Sequence, residues 1–138
     1  MARTATRTQT CSDQDAKTRL AHARKFLEVA ELVADEGDEV EYSSAAAALA
    51  VLAGIAASDA ACCKALGRRS RGQDHRAAIE LVEQIEPGGA DASKALRRLL
   101  ALKDEAHYGL FDVSGADLKT ALRQARALVD FSAGVLVR

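Results

Sequence analysis

The stretch A-A-A-A-L-A-V-L-A-G-I-A-A, residues 45 to 57, has no charged or hydrogen-bonding side chain and is mostly alanine. Alanine is the strongest helix former, whereas sheets build their faces from β-branched and aromatic side chains. The whole chain repeats this bias: of 138 residues, 30 are Ala, five are Phe or Tyr and none is Trp. The fold class that follows is all-α. The run sits within a helix expected from about Val40 to Leu66, closed by Gly67, and about 40 Å long at 1.5 Å per residue. It is apolar on nearly every side, which predicts a central helix contacted by several neighbours. Gly54 in its middle costs about 1 kcal/mol relative to Ala and predicts close approach of another helix. Thirteen apolar residues fall short of the roughly 20 that a spanning helix needs, so no membrane segment is expected.

Working outward, Met1 to Cys11 is polar, Thr-rich and without period, and reads as a flexible N-terminal tail. A single domain is expected over residues 12 to 138, a length that buries one core without staples. Ser12 followed by Asp15 has capping-box spacing and opens a first helix running to about Glu36, with Gly37 as its stop. Arg68 to Gln73 reads as a basic loop, and Asp74 as the cap of a third helix that Pro87-Gly88-Gly89 ends. Asp91 or Ser93 opens a fourth helix running to Gly109, and Ser114 caps a fifth. The architecture expected is an up-and-down four-helix bundle with one additional helix.

Net charge is −1, which excludes a generally basic nucleic-acid binder but leaves room for a local basic patch. Met1 to Thr10 has no apolar stretch of the secretory kind, so no signal is expected there. Three cysteines, two of them adjacent, do not make a disulfide framework, and a cytoplasmic setting is expected. Cys62 and Cys63 diverge by about 100° on a helix and read as small core residues, not as zinc ligands. No metal or other cofactor is expected.

Short connections favour antiparallel neighbours, so five helices are expected to alternate: one down, two up, three down, four up, five down. That alternation would gather Asp35, Glu36, Asp38, Glu39, Glu41, Glu83 and Glu86 at one end. The other end would hold Lys64, Arg68, Arg69, Arg71, His75 and Arg76 together with Lys103, His107 and Tyr108. Arg grips phosphate with a two-pronged fork, so Arg68, Arg69, Arg71, His75 and Arg76 are candidate phosphate-binding residues. Asp59 interrupts an apolar helix and needs water, a cation or a donor if buried; Lys103 and His75 are its expected partners. His107 ends K-D-E-A-H-Y-G with Lys103 one turn earlier on the same face. Imidazole moves protons near neutral pH and a nearby cation stabilises developing phosphate charge, which makes His107, Lys103 and Asp59 the candidate catalytic set.

Two segments carry a family resemblance: S-D-A-A-C-C-K-A-L-G-R-R-S-R-G-Q-D-H, residues 58 to 75, and L-K-D-E-A-H-Y-G, residues 102 to 109. From about Tyr42 to Ala133 the chain resembles the HEPN superfamily (the higher eukaryotes and prokaryotes nucleotide-binding domain). The resemblance implies an up-and-down four-helix bundle with an extra helix, often dimeric. Catalytic members are metal-independent RNases that carry an Arg a few residues before a His; other members bind without catalysis. Here Lys103 stands in place of that Arg, three residues intervene before His107, and the motif is degenerate. Lys lacks the fork geometry of Arg. The expected function is binding of RNA or a nucleotide through the basic end, and the expected assembly a homodimer. The alternative is a non-catalytic protein–protein interaction or regulatory module.

Overall fold

The computed structural model describes residues 8–36, 40–71, 75–103 and 113–138. Among the described residues the helices are α1 (Asp13–Ala34), α2 (Val40–Leu66), α3 (His75–Glu83), α4 (Gly89–Ala101) and α5 (Gly115–Leu136). A two-stranded antiparallel ribbon joins β1 (Thr8–Thr10) to β2 (Arg68–Ser70), pairing Thr8 with Ser70, Gln9 with Arg69 and Thr10 with Arg68. The molecule is an all-α helical bundle to which this ribbon is appended.

The alanine run does what its composition predicts. Ala46, Ala47, Ala50, Ala53, Ala56 and Ala57 are fully buried, and α1 and α5 pack most extensively on α2. By length and composition α2 could also cross a membrane, but 72% of its apolar window is covered by the bundle itself. A Cβ at Gly54 would overlap the side chain of Leu99 on α4 and stand 3.2 Å from Leu128 Cδ1 on α5. The missing side chain is therefore what lets three helices meet at mid-bundle. Two caps hold as spaced in the sequence. The Asp15 amide donates to Ser12 Oγ at 3.1 Å while the Ser12 amide donates to Asp15 Oδ2 at 2.9 Å, and the Asp117 amide donates to Ser114 Oγ at 3.1 Å.

The directions of the helices differ from simple alternation of five. Asp13 and Arg19 near the start of α1 pair with Lys64 and Asp59 near the end of α2, so these two are antiparallel. The Val113 amide, just before α5, donates to Ser44 Oγ near the start of α2 at 3.1 Å, and Leu128 meets Gly54 halfway along. Thus α5 runs parallel to α2. At the far end of α5, the ring of Phe131 packs on Gly88, and Arg138 donates to the carbonyls of Glu86 and Pro87 at 3.2 and 2.9 Å. Thus α4 starts where α5 ends and runs against it. The short α3 is the additional helix, and α1, α2, α4 and α5 form the up-and-down four. Counting α3 as a full member inverts α4 and α5.

Four boundaries are corrected. Thr8 to Cys11, expected in the tail, are held by the ribbon and by a disulfide from Cys11 to Cys63. Arg68 to Ser70, expected in a loop, form the partner strand. Helix α4 begins at Gly89 instead of near Asp91 or Ser93, because Gly88 adopts φ +98° as its N-cap and turns the chain early. It ends at Ala101; the expected continuation to Gly109 lies outside the described residues beyond Lys103, as do the Gly37 stop and the Asp74 cap.

Substituting Gly54→Ala tests the three-helix contact. Overpacking against buried Leu99 and Leu128 outweighs the gain in helix propensity, and a net loss of about 1–2 kcal/mol is expected in urea unfolding. An unchanged or raised midpoint would show that the helices do not meet there.

Candidate functional site

Asp59 lies on α2, two residues past the apolar run, and is only 8% exposed. A carboxylate placed there must be compensated. Arg19 Nη2 on α1 donates to its Oδ2 at 3.1 Å, and Arg69 Nη1 on β2 stands 3.7 Å from the same oxygen. Both arginine side chains are about one-third exposed, so one buried acid anchors two partly exposed arginines. Arg69 also donates to Gln9 Oε1 across the ribbon at 3.4 Å. The Nε of Arg19 is buried and has no hydrogen-bond partner among the described residues.

The local fold explains this convergence. Residues nearly equidistant from the α1–α2 connection face one another across α1 and α2, which brings Arg19 opposite Asp59 and Asp13 opposite Lys64, the latter pair at 3.1 Å. Gly67, at φ +71°, then turns the chain out of α2. Its carbonyl accepts from the Cys11 amide at 3.0 Å, and the ribbon carries Arg69 back beside Asp59. Gln9, Thr10 and Cys11 with Asp15, Thr18, Arg19 and Arg69 line a cleft of about 160 Å³.

Burial pushes Asp59 above the ordinary aspartate value, outweighing the downward pull of Arg19 and Arg69. Asp15 moves the other way, held low by hydrogen bonds from the Ser12 backbone and hydroxyl. The Cys62 thiol is pushed up to about 12 by burial, with the Asp59 charge adding to the effect. It is an inert core thiol, as its spacing suggests.

The expected site residues separate. Arg68 and Arg69 lie half-buried on β2, and exposed Arg71 follows the strand. His75 is the half-buried first residue of α3. Arg76 instead lines a second groove, about 510 Å³, with Ile79, Glu80, Glu83 and Arg97 between α3 and α4. Lys103 is half-buried and follows α4, whose direction carries it from the Gly88 end past mid-bundle Leu99, away from the Asp59 end. The expected gathering of Lys103 with the arginines is corrected for that reason. His107 and Tyr108 lie outside the described residues, as do Asp38 and Glu39.

The ion pairs of Asp59 come from Arg19 and Arg69, not from the expected Lys103 and His75. Glu83 and Glu86 are also displaced: the turn that holds Glu86 packs against the C-terminus of α5, opposite the α1–α2 turn, so the acidic end is smaller than expected. Arg19 was missed because it sits among ordinary polar positions of α1. Its distance from the turn is the signal that could have found it.

Cys11 and Cys63 contradict the expectation of no disulfide. They are 52 residues apart in sequence, but the α1–α2 hairpin brings their Cα atoms to 5.4 Å. Among the described residues, no group of three or more His, Cys, Asp or Glu side chains is placed to hold a metal ion. Compared with known proteins, the chain matches no family model and no curated protein.

The elevated Asp59 makes a signed prediction. Folded protein keeps this proton to higher pH than unfolded protein, so its stabilising contribution is full below the unfolded value and is lost as pH rises through the folded one. Asp59→Asn removes that dependence. Relative to wild type, the variant should gain stability as pH rises above the ordinary aspartate value and level off once folded Asp59 has lost its proton, as read in denaturant titrations, whatever constant offset the two arginines impose. Parallel profiles would show that Asp59 titrates as in the unfolded chain.

Proposed function

We infer that this protein is a HEPN-like bundle that binds RNA or a nucleotide through the phosphate groups of its ligand. The contact surface is the β2 strand and the end of α2. The observation that carries this reading is the pair of arginines, Arg19 and Arg69, anchored by one buried carboxylate with their side chains about one-third exposed. Arg68, on the same strand, and exposed Arg71 extend the positive surface. Guanidiniums held from behind bind phosphate with less ordering cost than free side chains.

Binding, not cleavage, is the activity proposed. Asp59 is engaged by arginines, which suits it to positioning them and not to proton transfer. Lys103 follows a helix that leaves this end. The cytoplasmic setting belongs to this reading as well, since RNA and nucleotides are met there.

One observation favours a second reading. Val29, Leu32, Tyr42 and Leu52 expose large apolar surface on α1 and α2, a feature of surfaces that meet protein partners. Under that reading the chain is an interaction module or a homodimer, and Leu52→Asp would shift its sedimentation coefficient to that of a lone chain.

Fluorescence anisotropy with a single-stranded RNA oligonucleotide tests the first reading. Affinity should fall steeply with salt, and the double substitution Arg68→Gln/Arg69→Gln should weaken binding about tenfold and reduce the salt slope. Absence of binding at low salt, or binding indifferent to both changes, would contradict it.

A further inference from the structure

We propose that the Cys11–Cys63 disulfide is a redox latch: it holds β1 over the Arg19–Asp59–Arg69 cluster, and its reduction uncovers the cluster for a phosphate group. The proposal rests on the phosphate-binding reading above and supplies its regulation.

Three observations converge on it. First, the bond lies at the edge of the bundle core, which it reaches through buried Cys63. Cys11 precedes the Ser12 cap, and Cys63, although buried, is not among the residues of the main apolar cluster. Residues 12 to 138 contain all the helices of the described residues, so the bundle has its own core when the bond is open. Second, the ribbon, the Cys11 amide on the Gly67 carbonyl and the Arg69–Gln9 hydrogen bond are non-covalent ties of β1. The ribbon has three residue pairs, and Gln9 and Thr10 are exposed. A two-stranded ribbon is marginal in water unless something fastens it, and here the disulfide is the fastener.

Third, the segment it fastens covers a site with an unmet donor. Gln9, Thr10 and Cys11 wall the cleft that contains Arg19 and Arg69, and Gln9 occupies Arg69 with a hydrogen bond. Arg19, which lines this cleft, has its Nε buried without a hydrogen-bond partner among the described residues. A buried unpaired donor costs free energy that release to water or to an anion would recover. Asp15, the other acid lining the cleft, is exposed and already accepts from the Ser12 amide. Its charge is screened by solvent and offsets little of the cations' field.

The exchange step is balanced by a dithiol reductant. Its thiolate attacks Sγ of Cys11, the more accessible of the two sulfurs. The Cys11–Cys63 bond breaks, Cys63 leaves as thiolate and takes up a proton, and a mixed disulfide forms on Cys11. The reductant's second thiol, as thiolate, then displaces Cys11, which is protonated in turn; the dithiol ends as a cyclic disulfide and the protein as two thiols. Cys62, although adjacent, does not intercept the bond. Its thiol is buried and its side chain diverges from that of Cys63 around the helix. In a reducing compartment, protein disulfides are more often sensors than staples.

The test compares oxidised and dithiothreitol-reduced protein by amide hydrogen exchange and by titration with inorganic phosphate. On reduction, exchange at Gln9, Thr10 and Cys11 should accelerate at least tenfold while α2 and α5 stay protected, and phosphate affinity should rise several-fold. Cys11→Ser should match reduced protein and ignore the reductant. Arg19→Lys, which keeps the charge but removes the Nε donor, should abolish the gain in phosphate affinity without changing exchange of the strand.

Unchanged exchange on reduction, faster exchange without gain in phosphate affinity, or unfolding of the bundle on reduction would each overturn the latch. None of these readouts uses RNA. A latch that behaves as stated in a protein that binds no RNA would sink the RNA reading alone.

Discussion

A carboxylate buried on an apolar helix cannot remain unpaired, and much of this molecule's surface chemistry follows from that constraint. Asp59 is compensated from two directions, by Arg19 on α1 and by Arg69 on the ribbon. Each arginine gives one nitrogen of its guanidinium to the acid, while Arg19 Nη1 stands 3.5 Å from His22 Nδ1 and Arg69 Nη2 donates to Gln9 Oε1. Such a pair contributes little net stability after desolvation is counted. Its consequence is geometric: two long, mobile side chains are fixed at one end of the bundle.

The bundle that presents them depends on α2. Alanine lets neighbours approach α2 from several sides, and Gly54 admits Leu99 and Leu128 to the same point of its surface. The up-and-down order of α1, α2, α4 and α5 leaves α3 outside the alternation. That single exception moves Lys103 away from the arginines and brings Glu86 to the C-terminal end of α5. A chain whose charges look sorted to two ends in one dimension is therefore mixed at one of them in three.

Much of this was legible in the sequence. The all-α class, the central helix, the role of Gly54 and the Ser12 and Ser114 caps are local properties, set by propensity and spacing within a few residues. Asp59 stood out because it breaks an apolar run, and Arg68 and Arg69 because they cluster. What was not legible is long-range. Arg19 and Asp59 are 40 residues apart, and Cys11 and Cys63 are 52; only the hairpin register joins them. The strand at Thr8–Thr10 has no alternating apolar pattern, since both of its faces are largely wet. Helix direction failed for a related reason: a nine-residue α3 reads like any other helix in sequence, but it is too short to cross the bundle.

The central claim is that the two arginines held by Asp59 are the ones that meet phosphate. Side-chain Nε–Hε correlation spectra of the protein, recorded while single-stranded RNA is added under reducing conditions, test it most directly. The account predicts that the resonances of Arg19 and Arg69 shift progressively and saturate, while Arg97 in the α3–α4 groove and Arg126, paired with Glu31, stay in place. Shifts confined to Arg76 and Arg97, or no arginine shift in protein that binds the RNA, would contradict it.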